Sequence, residues 1–241
     1  MINKRNLRAL ALLILPALFL FTACDPDAIH GDGDIVTETR DEKDFTGLNV
    51  SVPGKINVKL GTTFKVEVQV EENLLPYLRT EVESDGNLHI YFYKEVRDVD
   101  GLVVSVTMPQ LESLDLSGSA IVVTDGVFEG PSLDLDVSGS GNVTMNFIDY
   151  DDIDVQLSGS GRIEMEGTGG ELDAHISGSG HIFALDCPVR EAEVHISGSG
   201  SAKVDVLQKL KAQISGSGEV WYEGSPVVDS DISGSGRVVK I

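Results

Sequence analysis

The chain has 241 residues, 41% of them hydrophobic and 6% aromatic, with 18 Lys and Arg against 39 Asp and Glu and a formal net charge of −21. So acidic a surface repels phosphate backbones, which argues against nucleic acid as a partner. Two cysteines, Cys24 and Cys187, give no disulfide framework, so an apolar core must carry the stability of the fold.

Residues 1–23 read as an export signal. Lys4, Arg5 and Arg8 form a basic start, and Ala9 to Phe21 is an apolar run broken only by Pro16, too short for a comfortable membrane span. Thr22-Ala23-Cys24 resembles the lipobox of bacterial lipoproteins, although Phe21 stands at its aliphatic position. That resemblance implies that Cys24 is lipidated and begins the mature chain, which its acyl chains hold on a membrane surface. The expected location is that of an exported outer-membrane lipoprotein, on the cell surface or the periplasmic face. An ordinary signal peptide with an incidental Cys24 is the alternative. Cleavage leaves 15 Lys and Arg against 39 Asp and Glu, a charge of −24. Cys187 then reads as a small buried hydrophobe. Residues 24–34, acidic and Gly-rich, read as the lipidated terminus and a tether, without the spacing of an EF-hand.

Residues 35–110 read as an N-terminal β segment or cap. Lys55 to Leu60, Lys65 to Val70, Leu88 to Tyr93 and Val103 to Val106 are strand-like, and Pro53-Gly54, Gly61 and Asp85-Gly86-Asn87 supply turns. A short helical or irregular piece is expected over Glu72 to Arg79, interrupted by Pro76.

From 111 to 241 the tetrapeptide Ser-Gly-Ser-Gly recurs. It opens at Ser138-Gly139, Ser158-Gly159, Ser177-Gly178, Ser197-Gly198, Ser215-Gly216 and Ser233-Gly234, with Ser-Gly-Ser-Ala at Ser117-Gly118; the steps are 21, 20, 19, 20, 18 and 18 residues. One, three and five places before each opening Ser the residues are mostly aliphatic, as in Leu157, Val155 and Ile153. Five places after it stand Val122, Val143, Ile163, Ile182, Ala202, Val220 and Val238. Each unit therefore reads as strand, corner, strand and a variable connection. About twenty residues suit one coil of a parallel β-solenoid, with equivalent residues about 4.8 Å apart. Gly supplies dihedrals closed to other residues, and the Ser hydroxyls are expected to form ladders up the corner. An antiparallel β-sandwich is the rival, but hairpins do not require one identical corner every twenty residues.

Stacking turns outward positions into columns. Asp134, Asp154, Asp173 and Glu193 fall in an acidic column, which attracts cations such as calcium or simply keeps the face solvated. His175 and His195 fall in the next column, where two imidazoles one coil apart are metal-ligand candidates. Both lie in duplicated His-Ile-Ser-Gly-Ser-Gly text, so a plain surface repeat is the cheaper explanation, and no metal or other cofactor is expected. Near-identical serines point to structure, since a nucleophile needs one base and one oxyanion hole at one place. Asp149-Tyr150-Asp151-Asp152 is the densest acidic cluster and reads as a polar loop between coils rather than paired-carboxylate machinery.

Phe45-Thr46-Gly47-Leu48, Gly54-Lys55-Ile56-Asn57-Val58 and the series of corners, behind a lipoprotein-type signal, resemble the putative auto-transporter adhesin, head GIN domain family. The resemblance covers about residues 35–241 and implies a right-handed parallel β-helix. It also implies an exported protein with an adhesin label; the lipid anchor, the repeats and the lack of a catalytic set in the sequence point to an adhesin or binding module without catalytic activity, whose expected partners are the membrane, through its lipid, and a glycan or protein surface ligand. A β-helical polysaccharide-active enzyme and a purely structural envelope protein are the alternatives.

Overall fold

The computed structural model describes residues 28–241, so the signal segment and Cys24 lie outside the described residues. About 72% of the chain is strand and 1% helix, built as a parallel β-solenoid of about 6 turns with equivalent positions about 20 residues apart. The rival antiparallel sandwich is thereby set aside.

The chain opens with β1 (Ile29–His30), β2 (Ile35–Arg40), β3 (Gly47–Ser51), β4 (Lys55–Leu60) and β5 (Lys65–Glu71). A single 3-10 turn, Leu75–Tyr77, sits where the irregular piece was expected. β6 (Leu78–Val82), β7 (Asn87–Phe92), β8 (Val96–Arg97) and β9 (Val103–Met108) complete this part. The repeats supply β10 (Ser113–Gly118), β11 (Ile121–Asp125), β12 (Phe128–Gly139), β13 (Asn142–Gly159) and β14 (Arg162–Gly178). β15 (His181–Gly198), β16 (Ser201–Gly216), β17 (Glu219–Gly224), β18 (Val227–Gly234) and β19 (Arg237–Lys240) follow.

From β10 upward the corners align one above another: Ser117 pairs with Ser138, Ser138 with Ser158, Ser158 with Ser177, Ser177 with Ser197, Ser197 with Ser215 and Ser215 with Ser233. Below β10 the order leaves the sequence. β3 and β4 form the coil that pairs with β10 and β11, and β7 and β9 form the coil beneath it. Ser51-Val52-Pro53-Gly54 occupies the corner there, and Gly54 O accepts from Ile121 N at 2.8 Å. β6 runs antiparallel to β7, and β5 antiparallel to both β9 and β2, so the parallel stack finishes at this end in antiparallel strands.

The interior is aliphatic. Leu116, Val137, Leu157, Ile176, Ile196 and Ile214 are at most 2% exposed, one above another before the corner. Val122, Val143, Ile163, Ile182, Ala202 and Val220 are equally buried behind it. Each such Leu, Ile or Val contributes roughly 1.5–3 kcal/mol by leaving water. In the last coil the equivalent Ile232 is 39% exposed, because among the described residues no strand lies over β18.

The corner explains its own sequence. The first Gly of each tetrapeptide has positive φ, +123° at Gly178, and an added Cβ would meet the carbonyl oxygen of Gly159 one coil below at 2.6 Å. Main-chain amides climb the corner: Ser179 N donates to Gly159 O, and Ser199 N to Gly178 O, both at 2.8 Å. The expected ladder of hydroxyls is absent among the described residues.

Two further expectations differ from the structure. Four of the variable connections are not loops, since β13 to β16 run unbroken through them, with register shifts between Met145 and Ile148, Glu164 and Gly169, and Ala184 and Val189; short breaks remain between β11 and β12 and between β17 and β18. Bulges bend a strand without ending it, and each lies where Phe147 (φ +56°), Gly167 (φ +140°) or Pro188 interrupts the ladder. The acidic cluster therefore lies on strand β13; Tyr150 is buried inside it and its hydroxyl donates to Leu111 O at 2.5 Å. The tether, in turn, is held near its end, where β1 pairs with β8 and Asn73 Nδ2 donates to His30 O at 2.6 Å.

Candidate binding faces

The strand before each corner exposes every second residue, and register lines these up. One column runs His89, Asn49, Asp115, Asp136, Gln156, His175, His195, Gln213 and Asp231. Beside it stand Ser113, Asp134, Asp154, Asp173, Glu193, Lys211 and Asp229. All six metal-ligand candidates read from the sequence lie in these two columns. Their like charges act on one another: burial and then the Asp134 and Asp173 carboxylates raise the Asp154 pKa, and burial and then Asp115 raise that of Asp136.

The structure sorts the candidates into groups. Glu193 is engaged, accepting from Lys211 Nζ at 2.5 Å and facing His195 Nε2 at 2.7 Å, and the Lys211 hydrogen bond holds its pKa down. The His175 and His195 rings stack face to face, with centroids 4.5 Å apart and planes 8° from parallel. His175 Nε2 lies 3.1 Å from Asp173 Oδ1. One donor atom each from Asp173, His175 and His195 falls within 4.8 Å of the others. Asp134 and Asp154 stay in the acidic column below and join no such group.

Between the Ser column of the corner and the His/Gln column runs a shallow groove of about 380 Å³. It crosses five coils, from Gln156 and Ser158 through His175, His195 and Gln213 to Asp231 and Ser233. Its hydroxyl, imidazole and amide groups repeat at the rung spacing of about 4.8 Å.

A second face lies beyond the corner and escaped the sequence reading. Six places after each opening Ser come Thr144, Glu164, Phe183, Lys203, Trp221 and Val239, which pair in register. Arg162 lies over the Phe183 ring at 4.0 Å and Arg237 over Trp221 at 5.5 Å. Extending the column census past the corner would have found this aromatic stripe, whose Arg162 and Arg237 are paired with Glu164 and Glu219 and which includes the only Trp of the chain. Such stripes offer flat ring faces to sugars and cation–π contacts to their own flanks.

Residues 44–226 match the family described as "Putative auto-transporter adhesin, head GIN domain". Among solved structures, a putative adhesin from Bacteroides fragilis has 21% identity and a TM-score of 0.82, over 89% of this chain and 100% of that one. One from Parabacteroides merdae has 25% identity and a TM-score of 0.71, over 89% and 99%. A protein from Parabacteroides distasonis described as a putative lipid binding protein has 29% identity and a TM-score of 0.73, over 89% and 99%. No curated protein matches the chain.

Proposed function

This chain belongs to the putative auto-transporter adhesin, head GIN domain family, and from that premise we propose that it is a lipid-anchored binding module of the cell envelope with no catalytic activity. The observation that carries the reading is the groove across five coils, lined by hydroxyls, imidazoles and amides at one repeat. A linear ligand whose own units repeat, such as a glycan chain, can make the same contact at each coil, so weak contacts add along the face. The adhesin and lipid-binding descriptions of the solved relatives support a binding role. Anchoring rests on the basic and apolar start and on Thr22-Ala23-Cys24. Export and surface display fit an adhesin-type family.

A glycan array probed with the full chain, with and without calcium, tests the reading. Binding to polymeric glycans that Gln156→Ala or Gln213→Ala weakens supports it. Turnover of a glycan that is lost on changing one carboxylate pair would replace it with an enzyme. Cys24→Ser should move the protein from the membrane to the soluble fraction.

A further inference from the structure

We propose that Asp173, His175 and His195 form a binding site for a divalent transition metal of the zinc class, set on the wall of the groove. Strands β14 and β15 place the two histidines side by side, and Asp173 reaches the same face two residues before His175. The rings are nearly parallel 4.5 Å apart, and each Nε2 faces the carboxylate two residues before it, Asp173 for His175 and Glu193 for His195, so equivalent nitrogens point to the same side. Two imidazole nitrogens and one carboxylate oxygen make a donor set suited to zinc, copper or nickel and poor for calcium, which takes oxygen alone.

The surrounding charges select Asp173 as the carboxylate. Glu193 is neutralised by Lys211 at 2.5 Å. Asp173 makes no ion pair with a lysine or arginine among the described residues, although the Lys211 charge reaches it at longer range; its Oδ1 is shielded from solvent and lacks a hydrogen bond of proper geometry, with His175 Nε2 3.1 Å away. A shielded carboxylate oxygen without a hydrogen bond is costly, and a cation removes that cost. Tetrahedral zinc with bonds of 2.0–2.1 Å holds its donors about 3.3 Å apart. Here they span up to 4.8 Å, so the side chains must close by on the order of 1 Å. Half-exposed side chains on a rigid pair of strands close that distance by small rotamer changes, without moving the backbone. Three protein donors leave a fourth position, filled by water and facing the groove.

Metal binding does not depend on what the groove docks, so its test is separate from the glycan array. Zinc is titrated calorimetrically into metal-free full chain, with NMR of the imidazole protons. The expected result is one zinc per chain, shifts at His175 and His195, and an affinity lower by about tenfold or more in His175→Gln and in His195→Gln. Asp173→Asn weakens binding as well. His30→Gln, on β1 and outside both faces, leaves it unchanged. All these side chains lie on the outer face of the stack rather than in its aliphatic interior, so unfolding temperatures stay near wild type and confirm folded protein. Absence of stoichiometric zinc uptake, or undiminished affinity in the His175→Gln/His195→Gln double variant, overturns the site.

Discussion

Gly178→Ala is the sharpest probe of the stack. Gly178 sits at φ +123°, where an L side chain is strained, and its new Cβ would lie 2.6 Å from Gly159 O and 3.3 Å from the Gly159 Cα and carbonyl carbon. Backbone strain of this kind costs about 1–3 kcal/mol. Relieving the contact pushes two coils apart and weakens the Ser179 N to Gly159 O bond of 2.8 Å, adding about 1 kcal/mol. A total of about 2–4 kcal/mol is a large part of the 5–15 kcal/mol typical of a domain. At about 2–4 °C per kcal/mol for a chain of this size, the midpoint should fall by roughly 5–15 °C. Gly118→Ala is the built-in control: φ is +117°, yet nothing lies within 4 Å of the added Cβ. It carries the strain without the contact. Thermal and urea unfolding by circular dichroism, with amide exchange at Ser179 and Ser199, compares the two. If both variants lose the same stability, or Gly178→Ala loses less than about 0.5 kcal/mol, the close stacking of the corners is not what holds them.

Three other outcomes follow from the same geometry. Asp136→Asn should stabilise the protein at neutral pH by less than about 1 kcal/mol. The Asp136 pKa is raised, so the wild type loses stability as pH rises through that value; the gain should vanish in acid and shrink in high salt, as unfolding scans across pH will show. Tyr150→Phe removes a buried hydroxyl bonded to Leu111 O at 2.5 Å and should cost about 1–2 kcal/mol in urea; the wild-type phenol, its pKa pushed up by burial, should resist alkaline titration until the fold opens. Burial pushes the Cys187 thiol up to about 12, so thiol reagents should modify it only at the rate of opening, and fast labelling of native protein would refute its burial.

The repeats announced the stack, because only a parallel column puts an identical Ser-Gly pair at every coil and lets glycine carbonyls sit against glycine. The aliphatic positions around each corner gave its interior. What stayed hidden was long-range order. Val52-Pro53 fills the corner of the β3–β4 coil, so nothing local marks it as the partner of β10, and no periodicity tells that β7 and β9 slip beneath it. The variable connections read as breaks between strands, whereas in the structure neighbouring coils absorb the irregularities at Phe147, Gly167 and Pro188 as bulges. For the site, the columns of Asp134, Asp154, Asp173, Glu193, His175 and His195 follow from counting. The capture of Glu193 by Lys211 depends on side-chain reach, and the Phe183–Trp221 stripe on the far side of the corner, which the count did not cross.

The in-register corner also makes this molecule a ruler. Duplicating one unit of about twenty residues adds a coil of about 4.8 Å and one more identical set of outward groups, while leaving the cross-section untouched. Length of contact, and with it grip on a polymer, can therefore be dialled in whole-number increments by copying genetic text, with no new side-chain chemistry to invent.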